Sequence, residues 1–227
     1  ITNIASDPCC PDPTTFKNAL QILEKYKIKN KKIFIFLKKG IKGKIIENPK
    51  KNNPIFKNVK NILLASGKDM LQKAEFFLKK NRIQTLNLGD NIKGESRQVA
   101  VEHAKKILKT NKRKFAILSG GETTVSVIGS GKGGRNSEYA LSLFNQIKNT
   151  DRIAAISCDT DGIDGSEDNA GVYFDNKTIK KAEKLSLDPE FFLKTNDSYS
   201  FFKKLNSLIH TGPTLTNVND YRVIMKI

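Results

Sequence analysis

The chain has 227 residues, 38% of them hydrophobic, and a formal net charge of +17 from 40 lysine and arginine residues against 23 acidic ones. This length can bury a full core, and no apolar run approaches the roughly 18 residues that a membrane-spanning helix needs. The lysines are spread through almost every segment, without an RNA-binding aromatic motif or a zinc-finger spacing. We therefore expect no nucleic-acid partner and no membrane partner. The three cysteines, an odd number, fit a reducing cytoplasm.

The N-terminal part of the chain is predicted to contain an extended opening, a helix and an exposed connection. The opening, ITNIASDPCCPDP, has two Asp-Pro pairs and should turn rather than form a regular element. Asp12 is expected to cap a helix with Pro13 at its first position. Residues 38–54 are rich in lysine, asparagine and proline and indicate an exposed connection. We therefore predict that residues 1–50 are the tail of a preceding α/β domain and that residues 51–227 form a second domain.

From residue 59 onward, short apolar runs alternate with segments of helical spacing. The runs at 62–65, 84–88 and 115–118 favour strands, and amphipathic helices are predicted between them. Strands that alternate with helices of this length predict an α/β fold. We expect a three-layer α/β/α arrangement with a mixed, mainly parallel sheet.

A glycine-rich loop follows the strand at 115–118. The β-branched run at 123–128 favours a strand, and four glycines between residues 129 and 134 then precede a helix that should start near Gly134. Because Arg135 lies at a helix start, where backbone N–H groups and the dipole favour an anion, the segment predicts an anion site. The alternatives are a hairpin loop with a solvated arginine and a dinucleotide-binding fingerprint, which the spacing of Gly129, Gly131 and Gly134 matches.

An acidic loop follows the buried strand predicted at 153–157. Its sequence, CDTDGIDGSED, does not have the spacing of an EF-hand. Ligands in open α/β sheets collect outside the carboxyl ends of strands. Asp159, Asp161 and Asp164 are therefore candidate Mg²⁺ ligands, and the alternative is a pair of Asp-Gly turns with solvated carboxylates.

The last part of the chain is predicted to contain a strand at 171–174, three helices and a final strand at 221–227. Two phenylalanines, Phe201 and Phe202, are expected in the core. The loop at 211–220 carries threonines, asparagines and an aspartate that are able to bind sugar-like hydroxyls, or to satisfy one another. The two histidines form no triad pattern and no metal spacing.

Four stretches together resemble one family: IASDPCCPDPTTF, SGGETTVSVIGSGKGGRNSE, DTDGIDGSEDNAG and TGPTLTNVNDYRV. In this order they are similar to the C-terminal half of the glycerate 2-kinases, which end in a MOFRL domain and are often labelled hydroxypyruvate reductase. The resemblance implies an enzyme that uses ATP and Mg²⁺ to phosphorylate D-glycerate to 2-phosphoglycerate. It also implies that the catalytic N-terminal domain lies upstream, so we expect a fragment that is inactive alone. An NAD(P)-dependent hydroxypyruvate reductase, a non-catalytic binding domain and assembly as a homodimer remain open.

The resemblance also implies roles for particular residues. Arg135 takes the place of the active-site arginine. The three loop aspartates named above are the metal candidates. Two departures from the family pattern are Ser6-Asp7-Pro8, where relatives have Ser-Gly-Pro, and Leu215, where they have glycine. The residues implied for substrate or nucleotide binding are Gly120, Gly121, Glu122, Thr123, Lys132, Gly133, Gly134, Asn136, Glu138, Thr214, Asn217, Asn219 and Asp220.

Overall fold

The computed structural model describes residues 9–227 and contains two compact units, one ending at Leu64 and one spanning Ala65–Ile227. Most of the predicted extended opening, with the departure at Ser6-Asp7-Pro8, lies outside the described residues. The boundary predicted at residue 50 concerned the end of a family domain, which packing alone does not decide, and it stays a prediction. Within the described part of the chain, no helix combines the length and apolar character needed to cross a bilayer.

The first unit contains a pair of helices, α1 (Phe16–Lys25) and α2 (Lys31–Ile41), and a short 3₁₀ turn at Pro54–Phe56. Thr15, rather than the predicted Asp12, caps α1, because Thr15 and Asn18 exchange side-chain and backbone hydrogen bonds in a capping box. The two helices meet where the Phe16 ring lies over Gly40 of α2, and any side chain there would overlap the ring.

The second unit is the α/β domain, and its predicted class is confirmed. Six strands form one mixed sheet in the order β1-β2-β6-β3-β4-β5. The elements, in chain order, are α3 (Gly67–Lys80), β1 (Gln84–Asn87), α4 (Ser96–Lys109), β2 (Phe115–Gly121), α5 (Arg135–Ile147), β3 (Ile153–Asp159), β4 (Gly171–Phe174), α6 (Asn176–Lys184), α7 (Pro189–Lys194), α8 (Ser198–Leu205), β5 (Leu208–Ile209) and β6 (Asp220–Lys226).

The sheet is mixed, and most neighbouring strands in it are antiparallel. Four of its six strands, β1, β2, β3 and β5, point the same way. However, β6 is inserted between β2 and β3, and it runs antiparallel to both. Only the β1–β2 pair is therefore parallel, and the expectation of mainly parallel pairing was wrong in that respect.

Two predicted strands are absent, and one strand was missed. Residues 62–65 form no strand, and the run at 123–128 makes only an isolated bridge between Thr124 and Glu95. The amides of that run bond to loops and side chains: Ser126 donates to the Glu95 carboxylate and Ile128 to the Asn196 side chain. The missed strand, β5, has two residues.

Helix α5 lies at the centre of the core and carries the site at its N-terminal end. Nearly all its residues are buried, and it packs against α4, α7, α8 and β3. Phe144 of α5 contacts the rings of Phe174, Phe201 and Phe202, so the prediction that the last two belong to the core is confirmed. Each fully buried phenylalanine contributes about 2–3 kcal/mol. This packing fixes the position of the helix start.

Candidate active site

Three strand ends and one helix start meet at one edge of the sheet. Gly121, at the end of β2, and Asp159, at the end of β3, both pair with Asp220 at the beginning of β6. Helix α5 begins above them at Arg135, with Gly134 as its N-cap. The carboxyl ends of β2 and β3, together with the amino end of β6, therefore bring together residues from the three sequence stretches predicted to form the site.

Arg135 is held between two buried carboxylates. Its Nε donates to Asp220 Oδ1 at 2.9 Å, and its Nη2 donates to Asp159 Oδ2. Burial opposes the charge of the guanidinium, but the attraction of Asp220 and Asp159 outweighs burial and raises the pKa of Arg135 above its usual value. The side chain is 23% exposed, so Arg135 is not a solvated surface arginine.

Asp220 connects Arg135 to a second, fully buried arginine. Arg222 is 1% exposed and donates to Asp220 Oδ2 and, at 3.0 Å, to Thr123 Oγ1. Its guanidinium lies 5.0 Å from the centre of the Tyr139 ring, within cation–π range. Asn136 donates to Asp220 Oδ1 at 2.7 Å. Asp220 thus accepts hydrogen bonds from three side chains, and its own side chain is fully buried.

Asp164 caps helix α5 from a distant loop. Its Oδ1 accepts from Asn136 N at 2.8 Å and its Oδ2 from Ser137 N at 2.7 Å. Gly134, the N-cap residue, has no side chain to do this, and a Cβ on it would overlap Asp164. Burial raises the pKa of the Asp164 carboxyl, although these hydrogen bonds oppose the shift. Asp164 therefore stabilises the helix start.

The three aspartates predicted as Mg²⁺ ligands do not form a metal cluster. Asp164 is committed to α5 and Asp159 to Arg135, while Asp161 accepts from Ile163 N at 2.9 Å and Asn217 Nδ2 at 3.2 Å. Within residues 9–227, no group of three or more His, Cys, Asp or Glu side chains is arranged to hold a metal ion. Burial raises the pKa of Asp159 to about 6, against the lowering by the Asp161 amide and Arg135.

The glycine-rich loop packs against the connection between α7 and α8. Side chains at Gly129, Gly131 or Gly133 would overlap residues 195–198. Several amides are also used internally: Gly129 N donates to Asn196 Oδ1 at 2.9 Å, and Gly131 N to Thr195 O at 2.9 Å. The loop therefore offers fewer amides to a ligand than its sequence indicates.

The two loop amides next to the helix start are left for an anion. The backbone N–H groups of Gly133 and Gly134 have no partner within the described part of the chain. The spacing that matches a dinucleotide fingerprint lacks the strand that should precede it, because residues 122–134 form neither helix nor strand.

A cavity of about 210 Å³ opens at the start of α5. Glu138, which is 2% exposed, lines it and accepts from Arg97 and, at 3.1 Å, from Asn196 Nδ2. Burial raises the pKa of Glu138, and the bond from Arg97 opposes that shift. The lining residues are Thr123, Val125, Val127, Gly131, Gly133, Gly134, Arg135, Glu138, Gly165 and Asn196.

The other predicted residues lie at this edge but outside the cavity lining. Gly121 has a φ of 108° and lies so close to Ile92 that a side chain would overlap its backbone, while Lys132 Nζ is 3.5 Å from Glu167. Gly120 pairs with Tyr221 in the sheet, and Glu122 N donates to Ile92 O at 2.9 Å.

The C-terminal polar loop is tied to the acidic loop. Thr214 donates to Thr160 O, Asn217 bonds Asp161, and Asn219 O accepts from Thr160 Oγ1 at 2.8 Å. The polar groups of this loop therefore satisfy one another and the acidic loop. Leu215, which replaces the family glycine, has a φ of 60° and is 97% exposed. The position thus requires a left-handed backbone rather than an absence of side-chain space.

Comparison with known proteins identifies the domain that carries this site. The model of the MOFRL family matches residues 115–220, and that of a domain of unknown function (DUF4147) matches residues 1–37. Residues 115–220 belong to the MOFRL family. The MOFRL match contains Arg135, the acidic loop, the cavity lining and, at its last residue, Asp220.

The proteins to which the chain is similar include named enzymes. A "Glycerate 2-kinase" of Pyrococcus horikoshii is 34% identical over 95% of this chain and 50% of its own length, and a "Putative hydroxypyruvate reductase" of Agrobacterium vitis is 35% identical over 99% and 51%. A crystal structure of a glycerate kinase from Thermotoga maritima matches with a TM-score of 0.81 at 34% identity, over 100% of this chain and 54% of that chain. The chain therefore spans about half the length of the relatives it matches.

Sequence reasoning missed the residues that hold the predicted ones in place. Arg222 could have been found from the period of two in β6, because it shares the inward face with Ile224 and an arginine there must have a buried partner. Arg97 and Asn196 gave no such signal. Their partner Glu138 is 41 and 58 residues away, and neither spacing follows from helix or strand geometry.

Proposed function

We propose that the full-length protein is a glycerate 2-kinase that transfers a phosphoryl group from ATP to D-glycerate. The observation that carries this proposal is Arg135, partly exposed, oriented by two carboxylates and adjoining two unpaired amides at a cavity. Relatives named glycerate 2-kinase support the choice of reaction. A cytoplasmic location, expected from the cysteines, belongs to the same proposal.

The arrangement suits phosphoryl transfer because that reaction depends on positioning and charge stabilisation. A guanidinium has five N–H donors. Two of those of Arg135 are committed to Asp220 and Asp159, which leaves three for a ligand in the cavity. Since the two carboxylates fix the plane of the guanidinium, these donors are oriented before the ligand arrives and lose little entropy on binding.

We expect this site to bind Mg²⁺ through one carboxylate ligand and not through the three that the sequence predicts. Magnesium in kinases is held by one or two carboxylates together with substrate phosphates, and Asp161 is the one predicted ligand whose carboxylate accepts only from neutral donors and is not fully buried. We therefore propose Asp161 as the protein ligand. When bound, the ion neutralises phosphate charge.

The competing activity is the hydroxypyruvate reductase named in other relatives. It requires a dinucleotide site, and the loop that matches the fingerprint has no preceding strand and uses the amides of Gly129 and Gly131 internally. These observations favour the kinase.

One assay of the full-length protein separates the two activities. We expect ADP release that depends on D-glycerate, and no hydroxypyruvate-dependent change in NAD(P)H absorbance. NAD(P)H oxidation without ADP release would overturn the proposal in favour of the reductase. Absence of both activities would favour a non-catalytic binding domain.

A further inference from the structure

The cavity at the start of α5 contains a hydrogen-bond acceptor, Glu138 Oε2, that has no donor among residues 9–227. Every side-chain hydrogen bond that Glu138 accepts within residues 9–227 goes to its Oε1, from Arg97 and Asn196. Its Oε2 has no such partner there. Because the Glu138 side chain is 2% exposed and lines the cavity, a ligand bound there can donate to this oxygen.

The carboxylate of Glu138 is fixed so that its two oxygens cannot exchange roles. Arg97 also donates to Leu193 O, which anchors its guanidinium to α7. Asn196 uses its Oδ1 to hold the amides of Ile128 and Gly129, so its Nδ2 is directed to Glu138. Both donors are therefore held at Oε1 by contacts elsewhere, and Oε2 remains the oxygen available to the cavity.

The other lining groups supply donors for an anion. The amides of Gly133 and Gly134 have no partner in the described residues, and three N–H groups of Arg135 are uncommitted. A ligand that bonds both Glu138 and these donors carries a hydroxyl, which donates to Glu138, and an anionic group, which accepts from the donors. The volume of about 210 Å³ is below the roughly 300 Å³ at which pockets for drug-sized ligands begin. This volume suits a small ligand such as a three-carbon hydroxy acid.

We infer that this cavity is the subsite for the small hydroxy acid, with a ligand hydroxyl donating to Glu138 Oε2 and the ligand carboxylate accepting from the amides of Gly133 and Gly134. The uncommitted N–H groups of Arg135 are then available to bind the phosphoryl group. Arg97 and Asn196 are positioning residues that present Oε2. The identification of the hydroxy acid as glycerate rests on the proposed function.

Glu138→Gln is the decisive change because it preserves shape and reverses one hydrogen bond. Arg97 and Asn196 require an acceptor at the Oε1 position, so the glutamine oxygen must take that place. The amide nitrogen then occupies the Oε2 position and presents a donor to the ligand hydroxyl. The hydroxyl loses its acceptor while the cavity keeps its volume.

The experiment measures, by calorimetry on the full-length protein, the affinities for D-glycerate and for propionate, a carboxylate without hydroxyls. We expect the parent to prefer glycerate by about 10-fold or more, as one hydrogen bond to a charged group provides. Glu138→Gln should reduce the preference to within about threefold. Arg97→Lys, which keeps the charge but loses the planar fork, should reduce it partly and serves if Glu138→Gln does not fold.

The matched control is Glu190→Gln on α7, because Glu190 is exposed and outside the cavity. It should keep the parent's preference. An unchanged preference in folded Glu138→Gln, or no glycerate binding by the parent, overturns the subsite. ADP release from the same samples tests the kinase separately. Glu138-dependent binding without ADP release would overturn the kinase and leave the subsite standing, while ADP release with an unaffected preference would do the reverse.

Discussion

At the scale of single residues, Arg135 combines a structural and a chemical role. Two buried carboxylates hold its guanidinium from one side, and the cavity adjoins it on the other. Removing one partner of such a pair leaves a buried charge uncompensated. We therefore expect Arg135 to contribute to stability as well as to the proposed ligand binding, and a test of its chemistry must measure both.

We expect Arg135→Lys in the full-length protein to cut turnover roughly 30- to 1000-fold, about 2–4 kcal/mol. Lysine keeps the charge but cannot bond Asp159, Asp220 and a phosphoryl group through one planar fork. The free energy of unfolding should fall by about 1–3 kcal/mol, because one carboxylate loses its cation. Steady-state kinetics and urea denaturation measure the two effects.

Arg113→Lys is the matched control, because Arg113 is exposed on the loop before β2. It should change turnover and stability by less than about 0.5 kcal/mol. Turnover of Arg135→Lys within about threefold of the parent, a shift under roughly 1 kcal/mol, would contradict the catalytic role.

The residues at the helix start and the strand ends were more predictable than the residues packed behind them. Arg135 and Asp220 lie in motif-bearing loops, and the sequence indicated both. Arg222 and Tyr139 contact each other across the core, from β6 and α5. No local spacing encodes such a contact, because it depends on how the sheet and helix pack. The capping role of Asp164 was not indicated by the sequence, since a loop carboxylate that caps a distant helix has the same local sequence as a metal ligand.

At the scale of elements, Asp164, which caps α5, and Asp161, the proposed Mg²⁺ ligand, are expected to have different roles. Asp164→Asn should lower the free energy of unfolding by about 2 kcal/mol, because its carboxylate accepts from two amides of α5. It should leave the dependence of turnover on Mg²⁺ unchanged. Asp161→Asn should leave the free energy of unfolding nearly unchanged and raise the Mg²⁺ concentration needed for half-maximal turnover.

Thermal unfolding and magnesium titration of each variant provide the test, and the two variants are controls for each other. A change of about 2 kcal/mol corresponds to roughly 4–8 °C in melting temperature for a chain of this size. An unchanged magnesium titration in Asp161→Asn, together with a lowered melting temperature, would show that this aspartate is also structural.

The packing of α4 against α5 makes stability depend on pH. His103 of α4 is buried, with its Nδ1 2.8 Å from the Tyr139 hydroxyl, and burial lowers its pKa from 6.5 to about 4. Between these values the unfolded chain binds a proton that the folded chain does not, so stability is lost as the pH falls through this window. At pH 5 the loss attributable to His103 is about 2 kcal/mol relative to pH 8.

His103→Asn isolates this effect, because asparagine offers the Tyr139 hydroxyl a hydrogen-bonding group but does not titrate. We expect the difference in unfolding free energy between pH 8 and pH 5 to change by about 2 kcal/mol in the variant, relative to the parent. The acids with raised pKa values act equally in both proteins and cancel in the comparison. Parallel pH profiles for parent and variant would contradict the assignment.

Long periodic elements were predictable and short irregular ones were not. Helix α5 begins one residue after the predicted Gly134, and the strand predicted at 221–227 differs from β6 by one residue at each end. The β-branched run at 123–128 failed because the loop contacts Asn196 and Glu95, whose competing hydrogen bonds override local propensity. Strand β5 is too short for any period to be seen.

At the scale of the whole molecule, the insertion of β6 assembles the site. Strand β6 lies between β2 and β3 and pairs with both. This places Asp220 between the carboxyl ends of those two strands, with Arg222 two residues further along β6. Alternation of helices and strands predicts the α/β class but not this order, since a terminal strand can join a sheet at an edge or in the middle with the same local pattern.

The last prediction concerns the 227-residue chain by itself. Its α/β unit has a continuous core around α5, so the chain should fold and unfold cooperatively. However, it spans about half of the matched glycerate kinases from Pyrococcus horikoshii and Thermotoga maritima, and phosphoryl transfer requires groups that position both substrates. We therefore expect a sigmoidal thermal transition but no glycerate-dependent ADP release, with the full-length protein assayed in parallel as the positive control. Turnover by the 227-residue chain at a rate within about tenfold of that control would show that residues 65–227 contain the whole catalytic apparatus or that the first unit completes it.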